Sequence, residues 1–107
     1  MEKPNLVYIE QLARGDESIK KTLIDVIKSE FPDEIKAYFK SIEEENFKEI
    51  EANVHRIKHK FSILGLHKNY EKANEFEENL REHQLNAVQK ENFEKNLSAI
   101  SQYLKTI

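Results

Sequence analysis

The chain has 107 residues, 35% of them charged, with a formal net charge of −3 and no cysteine. That length suits a single domain spanning 1–107, and the near-balanced charge offers no basic field for nucleic acid or a membrane surface. The missing thiols exclude a disulfide framework, a thiolate zinc site and a cysteine nucleophile.

The opening Met1-Glu2-Lys3-Pro4 has no apolar core of the kind a secretory leader needs. No apolar run approaches the roughly 18 residues of a membrane span. The expected compartment is the cytoplasm, and the Met start without linker sequence leads to the expectation of a free-standing protein. Only two glycines and two prolines occur, and no GxGxxG or Walker-type loop is present to cradle a nucleotide.

Residues 5–13 are predicted to form a short helix with Leu6, Ile9 and Leu12 on one side, ended by Gly15. Asp16 is the expected N-cap of the next helix, because its carboxylate can accept from exposed backbone N–H groups. That helix carries Ile19, Leu23, Val26, Ile27, Phe31, Ile35, Tyr38 and Ile42 at steps of three and four. Pro32 interrupts it, and a kink or restart is expected there. Residues 46–65 give the clearest stripe, with Phe47, Ile50, Val54, Ile57, Phe61 and Leu64, and Gly65 as the helix stop. Residues 68–82 repeat the pattern with Tyr70, Ala73, Phe76 and Leu80. After a polar turn at 83–87, residues 88–105 show Phe93, Leu97, Ile100 and Leu104. The triplet Glu43-Glu44-Glu45 reads as a solvated helix end. No segment alternates with period two. The expected class is all-α: an antiparallel four-helix bundle with a short additional N-terminal helix.

On a helical wheel His55 falls roughly 130 degrees from the centre of the apolar stripe of its helix, so it is expected to be mostly exposed. Glu51, Lys58, His59 and Ser62 are its neighbours at i−4, i+3, i+4 and i+7, and Arg56 and Lys60 stand further round. A neutral imidazole is a good nucleophile near pH 7, and a lysine one turn away can offset the charge of an incoming phosphoryl group. These are requirements of phosphoryl relay, not of a complete kinase, which also needs groups that position nucleotide and metal.

His55-Arg56-Ile57-Lys58, with Gly65 ten residues after His55, resembles the signature of histidine-containing phosphotransfer (HPt) domains. Tyr8-Ile9-Glu10-Gln11-Leu12, Gly15-Asp16, Phe31-Pro32 and Asn46-Phe47 extend the resemblance upstream. It implies a four-helix bundle that passes phosphate between receiver-domain aspartates in a multistep two-component phosphorelay. It implies His55 as phosphoacceptor, Lys58 as charge partner, and Gly65 as a packing or helix-end position. Glu51, Arg56, His59 and Ser62 are expected to contribute to the docking surface. The expected partners are response-regulator receiver domains or a hybrid sensor histidine kinase, met as a monomer. No cofactor is expected on this chain, since the Mg2+ of such relays belongs to the receiver.

One departure from the family pattern is plain: His59 and Lys60 stand where small residues usually give the receiver clearance. His59 is expected first to be a surface residue filling a groove; the alternatives are that it gates partner choice, hydrogen-bonds the phosphoryl group or competes as acceptor. His55 and His59 are also spaced as metal ligands, with Glu51 as a third. Arg56 stands where a zincin has its catalytic Glu, however, and Lys58 would repel a cation, so no metal site is assigned. His67 and His83 are expected to be ordinary surface residues, and Phe61 and Phe76 core partners. The contrasting reading is a degenerate HPt-like bundle that binds a signalling partner without chemistry.

Overall fold

The computed structural model describes residues 2–107. Its regular structure is all helical: α1 (Val7–Ala13), α2 (Glu17–Glu43), α3 (Phe47–Ile63), α4 (His67–Arg81) and α5 (Ala87–Leu104). None of these helices is long and apolar enough to cross a membrane. The body measures 44 × 24 × 20 Å.

Helix boundaries follow local chemistry. Arg14 adopts a left-handed conformation after α1, and Asp16 then caps α2 by accepting from the backbone N–H of Ser18 and Ile19. Asn46 and Asn86 cap α3 and α5 in the same way, through Glu49 and Gln89. Helix α4 begins after Leu66, which has no capping side chain. Glu2 supplies the acceptor from a distance, taking the Lys68 N–H at 2.8 Å and the Asn69 N–H at 3.0 Å. Burial pushes the Glu2 carboxyl up, but these backbone bonds outweigh it and leave it below the usual carboxylate value.

Helix α2 runs unbroken through Pro32, contrary to a restart. The missing N–H leaves the Lys28 carbonyl without its helical donor. Pro32 itself is exposed, while Ile27, Phe31 and Tyr38 on both sides of it are buried, so core packing carries the helix across.

Helix α2 packs on α3, α3 on α4, α4 on α5, and α5 returns to α2; α1 lies on α2. The expected apolar stripes of α3, α4 and α5 enter the core, but Leu12, Ile19 and Val26 stay about half exposed. Ile9 and Ala13, not Leu12, anchor α1. Phe93 sits at the centre, with ring centroids 5.1 Å from Tyr38, 5.3 Å from Phe61 and 5.5 Å from Phe76. Burying each such ring contributes on the order of 2–3 kcal/mol.

Gly65 closes α3 at φ +83, where a side chain is strained, and a Cβ there would run into the Asn5 carboxamide. Asn5 also donates its backbone N–H to the Leu64 carbonyl at 2.8 Å. The α3–α4 turn is therefore held from outside by the N-terminal segment. Gly65 is both a helix-end and a packing residue.

Candidate functional site around His55

Helices α3 and α4 run antiparallel side by side, since Glu51 meets Arg81, His55 meets Glu77 and Lys58 meets Asn74. This seam carries the site. His55 stands in the middle of α3 with its side chain 57% exposed, while Glu77, facing it from α4, is only 4% exposed. His55 Nδ1 lies 2.6 Å from Glu77 Oε1. Lys58, one turn along α3, donates to Glu77 Oε2 at 2.9 Å and to Asn74 Oδ1 at 2.6 Å.

The charge state of Glu77 decides what His55 can do. Burial pushes the Glu77 carboxyl up, but hydrogen bonds from Lys58 and His55, with the charge of Lys58, more than offset it. The net direction is below the usual carboxylate value, so the group is ionised at neutral pH and can only accept. The proton between Glu77 and neutral His55 therefore sits on Nδ1. The lone pair is left on Nε2, at the other side of a half-exposed ring. A carboxylate that fixes a histidine tautomer in this manner also offsets the imidazolium charge that develops when Nε2 attacks an electrophile.

Lys58 departs from its expected place. It is 7% exposed, not part of an open rim. Its aliphatic stem is buried in the seam, and its ammonium stands 5.6 Å from the Tyr70 ring centroid while paired with Glu77. A buried ammonium needs such a partner, and Glu77 provides it.

The remaining rim residues divide between two sides of α3. Glu51 faces α4, where Arg81 Nε reaches it at 2.9 Å. His59 is exposed on the same side, its ring perpendicular to that of His55 with centroids 5.1 Å apart, and 6.4 Å from Tyr70. Ser62 is half-buried a turn further on. Arg56 belongs to the α2 side. Its guanidinium donates to Asn53, which in turn donates to the Ala37 carbonyl and the Ser41 hydroxyl of α2. Lys60 is on that side too, bound to Glu30 at 3.0 Å and Glu34 at 3.4 Å. The six expected residues are thus not one exposed patch: Glu51, His55, His59 and Ser62 follow the α4 edge, Lys58 is buried beneath it, and Arg56 stands apart.

Glu77, Asn74, Tyr70 and Arg81 are the members of the site that sequence reasoning missed. One signal was present. Glu77 lies within the apolar stripe of its helix, four residues after Ala73 and three before Leu80. A carboxylate there must be buried, and a buried carboxylate needs a cationic partner. His83 is exposed, as expected, and its ring stacks on Phe47 with centroids 5.4 Å apart.

No family model, no curated protein and no solved structure matches the chain. The functional reading therefore rests on the residues of this seam.

Proposed function

We propose that this chain is a histidine phosphotransfer protein of the HPt type, shuttling a phosphoryl group between receiver-domain aspartates through His55. The observation that carries the reading is the His55–Glu77–Lys58 arrangement: a half-exposed imidazole whose inner nitrogen is held by a buried, ionised carboxylate. Such a group is a nucleophile with one free nitrogen. It has no recognisable nucleotide loop beside it, which fits a carrier better than a kinase.

In the proposed step the Nε2 lone pair of His55 attacks the phosphorus of a receiver aspartyl phosphate. The N–P bond forms as the P–O bond to the aspartyl carboxylate breaks, and that carboxylate leaves with the electron pair. Nδ1 keeps its proton, and Glu77 faces the resulting positive ring. Lys58 acts chiefly through Glu77, whose charge and position it holds. The receiver supplies the Mg2+ that such transfers use. Return of the phosphoryl group to another aspartate reverses each bond change.

The architecture belonging to this reading is one cytoplasmic domain, an antiparallel four-helix bundle of α2 to α5 with α1 as the short extra helix, acting as a monomer. The closed ring of helix contacts supports it. Receiver domains, or the receiver of a hybrid sensor kinase, would dock over the exposed α3 surface around His55, including Glu51, Arg56, His59 and Ser62.

The test is incubation with phosphorylated receiver domains, followed by mapping of acid-labile, base-stable phosphate. Phosphate on His55, lost in His55→Gln with the helical circular-dichroism signal unchanged, is the expected result. Absence of label with a panel of receivers would reject the relay and favour a bundle that binds its partner without chemistry.

A further inference from the structure

His59 occupies the one position around His55 whose role the relay chemistry leaves open. It lies one turn C-terminal to His55, and helix side chains lean toward the N-terminus, so its ring stands over the phosphoacceptor. The two rings meet edge to face at 5.1 Å between centroids. A phosphoryl group on Nε2 would extend its oxygens by roughly 2.5 Å from that nitrogen, within hydrogen-bond reach of a ring so placed.

The charge of the seam explains why a further cation is needed. Lys58 and Arg81 are positive, Glu77 and Glu51 negative; Lys58 pairs with Glu77 at 2.9 Å and Arg81 with Glu51 at 2.9 Å and Glu77 at 3.6 Å, so together they present no net charge. Two of the three Lys58 donors are already used, on Glu77 and Asn74. A phosphoryl group brings about −1.5 to −2 charges into this neutral setting. The groups facing His59 are His55, Lys58 and Lys60 on its own helix and Glu77 and Tyr70 on α4. Among them, Lys58 and Lys60 are each tied to carboxylates. His59 makes no hydrogen bond among the described residues and is free to answer the new charge.

We propose that His59 is a proton-coupled charge partner of the phosphorylated state: when His55 Nε2 carries a phosphoryl group, the His59 imidazole takes up a proton and donates to a phosphoryl oxygen. The proposal rests on the relay reading for its biological setting, but not for its physical test. In the unmodified protein, partial loss of solvent, then the proximity of His55 and Lys58, holds His59 below the usual histidine value, so its charge is off at neutral pH. A phosphoryl dianion at His55 reverses the local field and turns it on. By linkage, proton uptake at His59 and phosphoryl occupancy of His55 favour each other. This role gives the bulky residue a function in place of the clearance a small one would provide.

The experiment uses the full chain and phosphoramidate, a small donor that phosphorylates imidazoles without any receiver. The His59 ring nitrogens are followed by NMR through a pH titration, with His55 unmodified and phosphorylated. The expected result is a rise in the His59 midpoint of about one pH unit or more on phosphorylation of His55, a tenfold coupling. A His55→Glu variant, which places an anion at the same position without any modification, is expected to raise the midpoint by a smaller amount. An unchanged or lowered midpoint in either case overturns the proposal, as does phosphorylation of His59 in place of His55. A raised midpoint in a protein that accepts nothing from receivers would establish the coupling and sink the relay reading alone.

Discussion

His55 Nδ1 and Glu77 Oε1 are 2.6 Å apart, joining a ring that is 57% exposed to a carboxylate that is 4% exposed. One partner faces solvent and the other is held in the α3–α4 seam, so Glu77 orients His55 and not the reverse. Glu77→Gln tests this. Lys58 would claim the single carbonyl oxygen of the amide, turning its NH2 group toward His55. Nδ1 would then become the acceptor and the proton would move to Nε2, removing the nucleophilic lone pair. If His55 is the phosphoacceptor proposed, its phosphorylation by a receiver should slow by on the order of ten- to a hundredfold, the scale of lost supporting hydrogen bonds. An unchanged rate would mean that Glu77 serves only to neutralise Lys58.

The same substitution should weaken the fold, because it leaves the Lys58 ammonium buried without a counter-charge. Breaking a buried pair from one side costs about 3 kcal/mol. Urea unfolding of Glu77→Gln should show that loss, and Lys58→Met in the same background should recover much of it by removing the stranded charge. If the double variant is less stable than Glu77→Gln, the burial argument for Lys58 is wrong.

Two carboxylates give the stability profile opposite slopes. Glu77 is held below its ordinary value of 4.5, so its contribution is fully present above pH 4.5 and is lost as pH falls through the folded value. The advantage of wild type over Glu77→Gln should be flat at neutral pH and shrink in stronger acid. Glu34 goes the other way. Burial raises its carboxyl despite the nearby Lys60, and its Oε1 has no hydrogen-bond partner. Its ionised form is disfavoured in the fold, so wild type should gain on Glu34→Gln as pH falls from neutrality toward 4.5. Thermal melts at matched ionic strength measure both differences, and parallel curves for the three proteins would contradict both assignments.

Gly65 and Asn5 compete for one space. Gly65→Ala should cost about 1–2 kcal/mol, from a left-handed backbone and from the Asn5 carboxamide. In an Asn5→Ala background only the backbone part should remain. A double-mutant cycle by chemical denaturation checks this, and strict additivity would show that the two residues do not conflict.

Pro32 stands on the exposed side of a continuous helix and breaks one backbone hydrogen bond. Pro32→Ala should therefore stabilise the protein by about 1 kcal/mol or more, since interior proline is disfavoured by roughly 3 kcal/mol relative to alanine and part of this is returned through the unfolded chain. A lower melting temperature in the variant would mean that the fold depends on proline at this position.

The helices were legible because each carries its own evidence. The stripe Ile50, Val54, Ile57, Phe61 and Leu64 repeats at helical spacing, and Asp16, Asn46 and Gly65 mark ends by backbone chemistry that involves only near neighbours. The exposure of His55 followed from the same wheel. Local reasoning failed where a partner comes from elsewhere in the chain. Lys58 read as a surface lysine because its cover is α4, Leu12 read as core because the anchoring of α1 depends on α2, and a restart at Pro32 does not occur because the packing that carries α2 across it is not local.

The sequence by itself determined five helices, the ends marked by Asp16, Asn46 and Gly65, and a histidine placed off the apolar face, since these depend on periodicity and on hydrogen bonds a few residues long. Only the tertiary structure decided that Glu77 holds His55, that Lys58 is spent on Glu77, and that His59 is left without a hydrogen bond among the described residues. Those relations depend on which side chains α4 sets against α3, and electrostatic pairing acts through space, where residues 22 positions apart in the chain can share a proton.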